Sequence, residues 1–331
     1  MGRSVLVTGL SRELAASTAR RFAERDDVDK VVGVDVQPPK GELDGVKFVR
    51  ADIRTPVVGK IIAVEEIDTV VHLDLGPNVR GRGSVKELNV IGAMQLLAAC
   101  QRAESVSRLV VFSSTAVYGT SPRNPAMFVE TSAARGGTRV GYSKDVTEVE
   151  GYIRGFARRR EDVSITIFRS AAMLDPRVES SFGPYLANPV LPAALGFDPR
   201  LQFLHLDDAR AVLQQALDSP ISGTFNVAGD GVILLSQLAR RLGRPLLPLP
   251  PVGFGDATRR VLRLYGSQIS PDLHRLLTFG RVVDTTALRE VFGYTPDYST
   301  DDVVTEYAHK VRGGVLSGLF TSGHTATAAA Q

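Results

Sequence analysis

The chain has 331 residues, 44% hydrophobic and 23% charged, with 39 basic against 36 acidic side chains, one cysteine and no tryptophan. That length predicts roughly two domains, or one large α/β domain with an added lobe, and the ordinary apolar fraction excludes global disorder. The single Cys100 excludes an intramolecular disulfide and a thiolate metal cluster, so no metal site is expected and a reducing, cytoplasmic compartment is.

In chain order, Ser4-Val5-Leu6-Val7 is a short apolar run, interrupted by Thr8-Gly9 too soon for a signal peptide, and Leu6 stands where a myristoylation signal needs Ser or Thr. Residues 13–24 have helical spacing through Leu14, Ala15, Thr18 and Phe22, and 31–34 is a second apolar run. The alternation continues with strand-like runs at 46–49, 69–73, 109–112 and 164–168, separated by helical stretches such as 86–101 and 142–158. Apolar strands alternating with helices predict a parallel sheet covered on both faces, an α/β Rossmann-type doubly wound fold. After residue 170 the texture changes to short helices at 207–218, 234–242 and 284–292, with isolated strand-like pieces at 202–206 and 224–227. The expected division is a dinucleotide-binding domain over 1–170 with later sheet strands from 200–230, a smaller substrate lobe over 171–313, and a flexible tail over 314–331.

No run approaches the about 18 apolar residues of a membrane span. The basic runs Arg158-Arg159-Arg160 and Arg240-Arg241 read as solvated helix faces, so neither nucleic acid nor a membrane is an expected partner.

The chemistry begins at Thr8-Gly9, where a strand turns into an amphipathic helix whose N-terminal amides can seat a diphosphate. Asp35 ends the second strand, placed to accept hydrogen bonds from an adenosine ribose and to repel the extra phosphate of NADP, so the expected cofactor is NAD. The glycine pattern departs from Gly-x-x-Gly-x-x-Gly: the places after Gly9 hold Arg12 and Ala15. Ala15 keeps the helix close to the strand. Arg12 leaves two outcomes open, a guanidinium paired with the cofactor phosphates or a bulk that weakens dinucleotide binding.

From these residues onward the chain resembles the extended short-chain dehydrogenase/reductase family, the nucleotide-sugar epimerases and dehydratases. The resemblance runs in order through Ala51-Asp52-Ile53-Arg54, Val70-Val71-His72-Leu73, Leu88-Asn89-Val90 and Phe112 to Gly119. It continues through Arg169 to Arg177, Phe203 to Asp208, Gly223 to Val227 and Phe292 to Pro296. It implies NAD contacts at Thr8, Gly9, Arg12, Asp35, Asp52, Ile53, Leu73, Asn89 and Lys144, with Asp52 at the adenine edge. It also implies a small-molecule substrate, a nucleotide-sugar or a relative of one, and a homodimer through the helices at 86–101 and 142–158.

In this family a Tyr-x-x-x-Lys pair on one helix transfers the proton. Lys144, supported by Glu148, takes the lysine place, but the tyrosine place holds Val140. Tyr142 is the nearest phenol. Two residues of helix turn it about 200° from Lys144, so it serves as the base only if the helix starts at or after it. Tyr118 is a second phenol, structural by resemblance, and Ser114 takes the place of the hydroxyl that holds the reacting oxygen. Thr115 and Ala116 replace the acid pair of the dehydratases, which disfavours a 4,6-dehydratase. With Asp74 and Ala172 as further departures, two expectations stand: an atypical NAD-dependent epimerase or oxidoreductase using Ser114, Lys144 and Tyr142, or a catalytically impaired dinucleotide-binding or assembly protein.

Overall fold

The computed structural model describes residues 2–77, 86–134, 141–250, 254–264 and 269–311. The chain enters through β1 (Arg3–Thr8), crosses by α1 (Glu13–Ala23) to β2 (Val28–Asp35), and adds β3 (Val46–Arg50) outside it. It returns through α2 (Val57–Val64) to the other side of β1, where β4 (Thr69–His72), α3 (Gly92–Arg102), β5 (Arg108–Ser114), α4 (Tyr142–Ala157) and β6 (Ser164–Ser170) follow. Next come β7 (Ala172–Met173), α5 (Phe182–Leu186), β8 (Leu191–Ala194), β9 (Arg200–Leu201) and β10 (Phe203–Leu204). α6 (Leu206–Asp218) and β11 (Gly223–Val227) rejoin the sheet. β12 (Ile233–Leu234), α7 (Leu235–Arg241), β13 (Leu246–Leu249), α8 (Phe254–Leu264), α9 (Pro271–Phe279) and α10 (Thr300–Lys310) complete the order.

Among the described residues the main sheet has seven strands in the order β11-β6-β5-β4-β1-β2-β3, all parallel. It is a Rossmann-like doubly wound sheet. Successive side chains of a strand face opposite ways, so Val5 and Val7 of β1 join the core under α1 and α6, while Leu6 joins the core under α2, α3 and α4. Val110 and Phe112 against Leu109 and Val111 repeat the division on β5. Cys100 lies in the second of these cores, where burial pushes its thiol up to about 12. A third core, with Phe182, Tyr185, Phe203, Leu238, Leu277 and Val304, gathers the short strand pairs β7–β10, β9–β12 and β8–β13 beside the sheet.

Two expected helices take a different form. The stretch 86–101 opens with a π-helical turn over Glu87–Ile91 before α3, which swings Asn89 toward the end of β4. The stretch 284–292 ends in a π-helical turn over Leu288–Phe292, and Asp284 stays outside the helix, its carboxylate accepting from Thr286 N–H. Val140 and the tail over 314–331 lie outside the described residues. No described helix is long and apolar enough to cross a membrane.

Candidate active site

The strand order reverses between β1 and β4, and a parallel sheet opens a crevice at the carboxyl ends of its strands where that happens. Thr8 ties the two ends together: its hydroxyl lies 2.7 Å from His72 Nδ1 and accepts from Leu73 N–H. Gly9 follows with φ +83°, and a Cβ there would stand 3.0 Å from the Asp74 Cα, so only glycine lets the turn pass so close. Asp35 clamps the same turn, accepting from the backbone amides of Ser11 at 2.8 Å and Gln37 at 3.0 Å.

Asp52 pairs with Arg54 at 2.6 Å, and that hydrogen bond holds its carboxyl below the usual carboxylate range. With Ser11, Asp35 and Leu88 it lines a small cleft. Ile53 lines this cleft too and packs on Gly92 of α3. Asn89 is buried with its amide committed to Gly76, accepting from the backbone N–H at 3.1 Å and donating to the carbonyl at 3.0 Å. It therefore acts here by holding the loop after β4.

Arg12 caps α1 in extended conformation and crosses the crevice. Its Nε is 3.3 Å from Asp74 Oδ1 and its Nη1 is 3.6 Å from Glu179 Oε2. A Cβ on Gly76 would approach Arg12 Nη1 to 2.4 Å, so the absence of a side chain at Gly76 makes room for the guanidinium.

Beyond this bridge lies a half-open cavity. The first residues of α1 border it together with Leu73 and the ends of β5 and β6. Ala172, residues 178–182, and Asp272, Leu273, Leu276 and Arg281 close it from the other side. Ser114 and Tyr142 both line this cavity, with the Ser114 hydroxyl acting on the Tyr142 phenol. Burial pushes the Tyr142 phenol up to about 12, while the bond from Ser114 and the charges of Arg12 and Arg281 act in the opposite sense.

α4 begins at Tyr142, directly after Gly141 at φ +112°. Its start is pinned by Asp272, which accepts from Ser143 N–H at 3.0 Å, and by the Ser143 hydroxyl, which donates to the Ala116 carbonyl at 2.8 Å. Lys144 falls on the other side of this first turn, exposed and apart from the cavity lining. Glu148, expected to support it, instead accepts from the Tyr152 hydroxyl at 3.1 Å. One helical turn beyond Tyr142 stands the fully buried Val146. Tyr118 is buried, donating to Asn226 Oδ1 at 2.7 Å and stacked on Phe128, so it is committed to the core.

Below the cavity, Glu150 of α4 forms a buried pair with Arg169 of β6 at 2.7 Å and accepts from Ser113 at 2.8 Å. Arg169 also donates to the Tyr118 hydroxyl at 2.9 Å. This network sets the ends of β5 and β6 against α4. Sequence reasoning missed Glu150, Asp272, Glu179 and Arg281, which belong to no motif spacing. Among the described residues no cluster of His, Cys, Asp or Glu could hold a metal ion.

The profile of the NAD dependent epimerase/dehydratase family matches residues 5–228. The chain belongs to this family. An uncharacterised protein of Mycobacterium tuberculosis is 41% identical over 314 residues, covering 92% of this chain and 82% of that one. Among solved structures, the UDP-glucose 4-epimerase of Thermotoga maritima with UDP-glucose aligns with TM-score 0.68 at 17% identity, over 93% of this chain and 99% of that one. The UDP-glucuronic acid 4-epimerase of Bacillus cereus in complex with NAD aligns with TM-score 0.66 at 17% identity, over 93% and 99% of the two chains. These two likenesses establish the fold.

Family membership implies NAD, and the donors present fit it. The residues that would hold it are those at the start of α1, with the narrow passage at Gly9, the Asp35 carboxylate and the cleft beside Asp52 and Ile53.

Proposed function

We propose that the chain binds NAD along the carboxyl ends of β1, β2 and β4 and acts as an epimerase or oxidoreductase, passing hydride to and from a nucleotide-sugar or related substrate in the cavity. Bound there, the nicotinamide supplies the hydride acceptor and donor. The observation that carries this reading is the Ser114–Tyr142 hydroxyl pair, set between the start of α1 and the second lobe. Ser114 holds the substrate oxygen, and Tyr142, once ionised, accepts its proton. Arg12 and Arg281 provide the positive charge that favours the phenolate, in place of a lysine one turn away. The UDP-glucose in the Thermotoga maritima epimerase of this fold supports the substrate class.

The proposal includes a cytoplasmic homodimer through α3 and α4. Ile91 and Met94, 42% and 43% exposed at the start of α3, support that surface. Sedimentation of the purified protein as a monomer would remove this part.

A second reading, a catalytically impaired dinucleotide-binding or assembly protein, draws on the Tyr142 phenol pushed up to about 12 and on the exposed Lys144. A native mass spectrum of the purified protein, followed by NADH absorbance with a nucleotide-sugar panel, separates the two. Turnover supports the first reading, whereas bound NAD with no turnover supports the second.

A further inference from the structure

α4 starts without a cap of its own. Gly141 before it lies at φ +112° and offers no side chain to the first amides of the helix, which need acceptors from elsewhere. The Ser143 N–H finds one in the second lobe, donating to Asp272 Oδ2 at 3.0 Å. Asp272 stands in the first turn of α9, where the Ser270 hydroxyl already caps that helix by accepting from Leu273 N–H at 3.1 Å. Leu273, Leu276 and Leu277 hold α9 in the third core, so the packing of that lobe sets where the carboxylate stands. One carboxylate thus sits at the N-terminal ends of two helices, where both dipoles favour a negative charge. On its other side Ser143 is tied to the sheet: its buried hydroxyl donates at 2.8 Å to the carbonyl of Ala116, two residues past Ser114. The residue next to Tyr142 is therefore held between the end of β5 and the wall formed by α9.

We propose that Asp272 is a positioning residue for Tyr142: it caps α4 across the two lobes, so the phenol is held in the cavity beside Ser114 only while α9 is docked. The inference rests on Tyr142 being the proton acceptor. Without the cap the first turn of α4 frays, and Tyr142, its first residue, loses its fixed place. Any displacement of α9, substrate entry included, is thereby felt at the tyrosine. Asp272 also acts as a charge on Arg281, so the cap has to be separated from the charge.

The test joins hydrogen exchange read by mass spectrometry to steady-state turnover of UDP-glucose, with NAD present throughout. The proteins are wild type, Asp272→Ala, Asp272→Asn, Tyr142→Phe and the double variant Asp272→Ala/Tyr142→Phe. Asp272→Ala should speed exchange over residues 142–146 about 5- to 30-fold, while the strands of the main sheet stay within about twofold of wild type. Asp272→Asn keeps an acceptor oxygen without the charge and should return both exchange and turnover to within about threefold of wild type. Asp272→Ala should lower kcat about tenfold with NAD affinity unchanged, and the double variant should lose no more than Tyr142→Phe alone, because a residue that acts through the phenol has nothing left to position once the hydroxyl is gone. Exchange over 142–146 within about twofold of wild type in Asp272→Ala overturns the proposal. So does a double variant whose two losses multiply, which gives Asp272 a role apart from Tyr142. Asp272→Asn as impaired as Asp272→Ala overturns the cap in favour of the charge. A wild type that binds NAD and turns nothing over removes Tyr142 as proton acceptor, and the exchange data alone then decide whether Asp272 holds the start of α4.

Discussion

Tyr142 and Lys144 show how the location of one helix start decides which side chain reaches the cavity. They differ by two residues, about 200° of helix rotation, so the start that turns Tyr142 inward turns Lys144 to solvent. Removing the phenolic hydroxyl by Tyr142→Phe should therefore lower turnover about 10²- to 10⁴-fold, the range of general acid–base catalysis, with NAD affinity retained. Lys144→Ala should change turnover by less than about twofold, since an exposed charge outside the cavity is screened by solvent. Steady-state kinetics with NAD titration checks both; a large loss in Lys144→Ala alone would restore the family's lysine role to this residue.

At the scale of elements, the segment linking α9 to the strands beside it fixes the far wall of the cavity. Gly280→Ala should destabilise the fold by about 2 kcal/mol or more, since φ +70° is strained for any side chain and the new Cβ would meet backbone rather than a movable group. Urea unfolding measures it, and an unchanged midpoint would contradict the close approach. The central sheet was legible in the sequence because parallel strands buried on both faces leave continuous apolar runs, as at Val70-Val71 and Leu109–Phe112. Gly9 and Asp35 were legible because a strand–turn–helix places them by local spacing. The start of α4 at Tyr142 agrees with the helical stretch expected over 142–158, but its pin was hidden, since Asp272 lies 129 residues beyond Ser143. Arg281 was equally hidden, because its place on the cavity wall is set by residues distant in the chain. Asn89, expected as a cofactor contact from its order along the chain, has its amide on the Gly76 loop.

For the whole molecule, pH stability should depend on His72, buried where β1 meets β4. Its Nδ1 shares a 2.7 Å hydrogen bond with the Thr8 hydroxyl, and its Nε2 is buried with no partner among the described residues. Burial, with the charge of Arg12 adding to it, lowers His72 from 6.5 to about 4. The unfolded chain takes up this proton first, so stability is lost as pH falls from about 6.5 toward 4, by up to roughly 3 kcal/mol. His72→Gln should flatten that part of the profile of urea midpoints against pH; an identical slope would assign the loss to other groups. Arg12 carries a different consequence for the molecule. One end of its bridge, Asp74, extends from the sheet, and the other, Glu179, belongs to the segment leading to α5. If the dinucleotide lies along α1 as proposed, its arrival draws the guanidinium away from both carboxylates and loosens that segment, and the expected order of binding is cofactor before substrate. Arg12→Gly should make the order random and speed NAD dissociation on the order of tenfold, as rapid-mixing fluorescence would record.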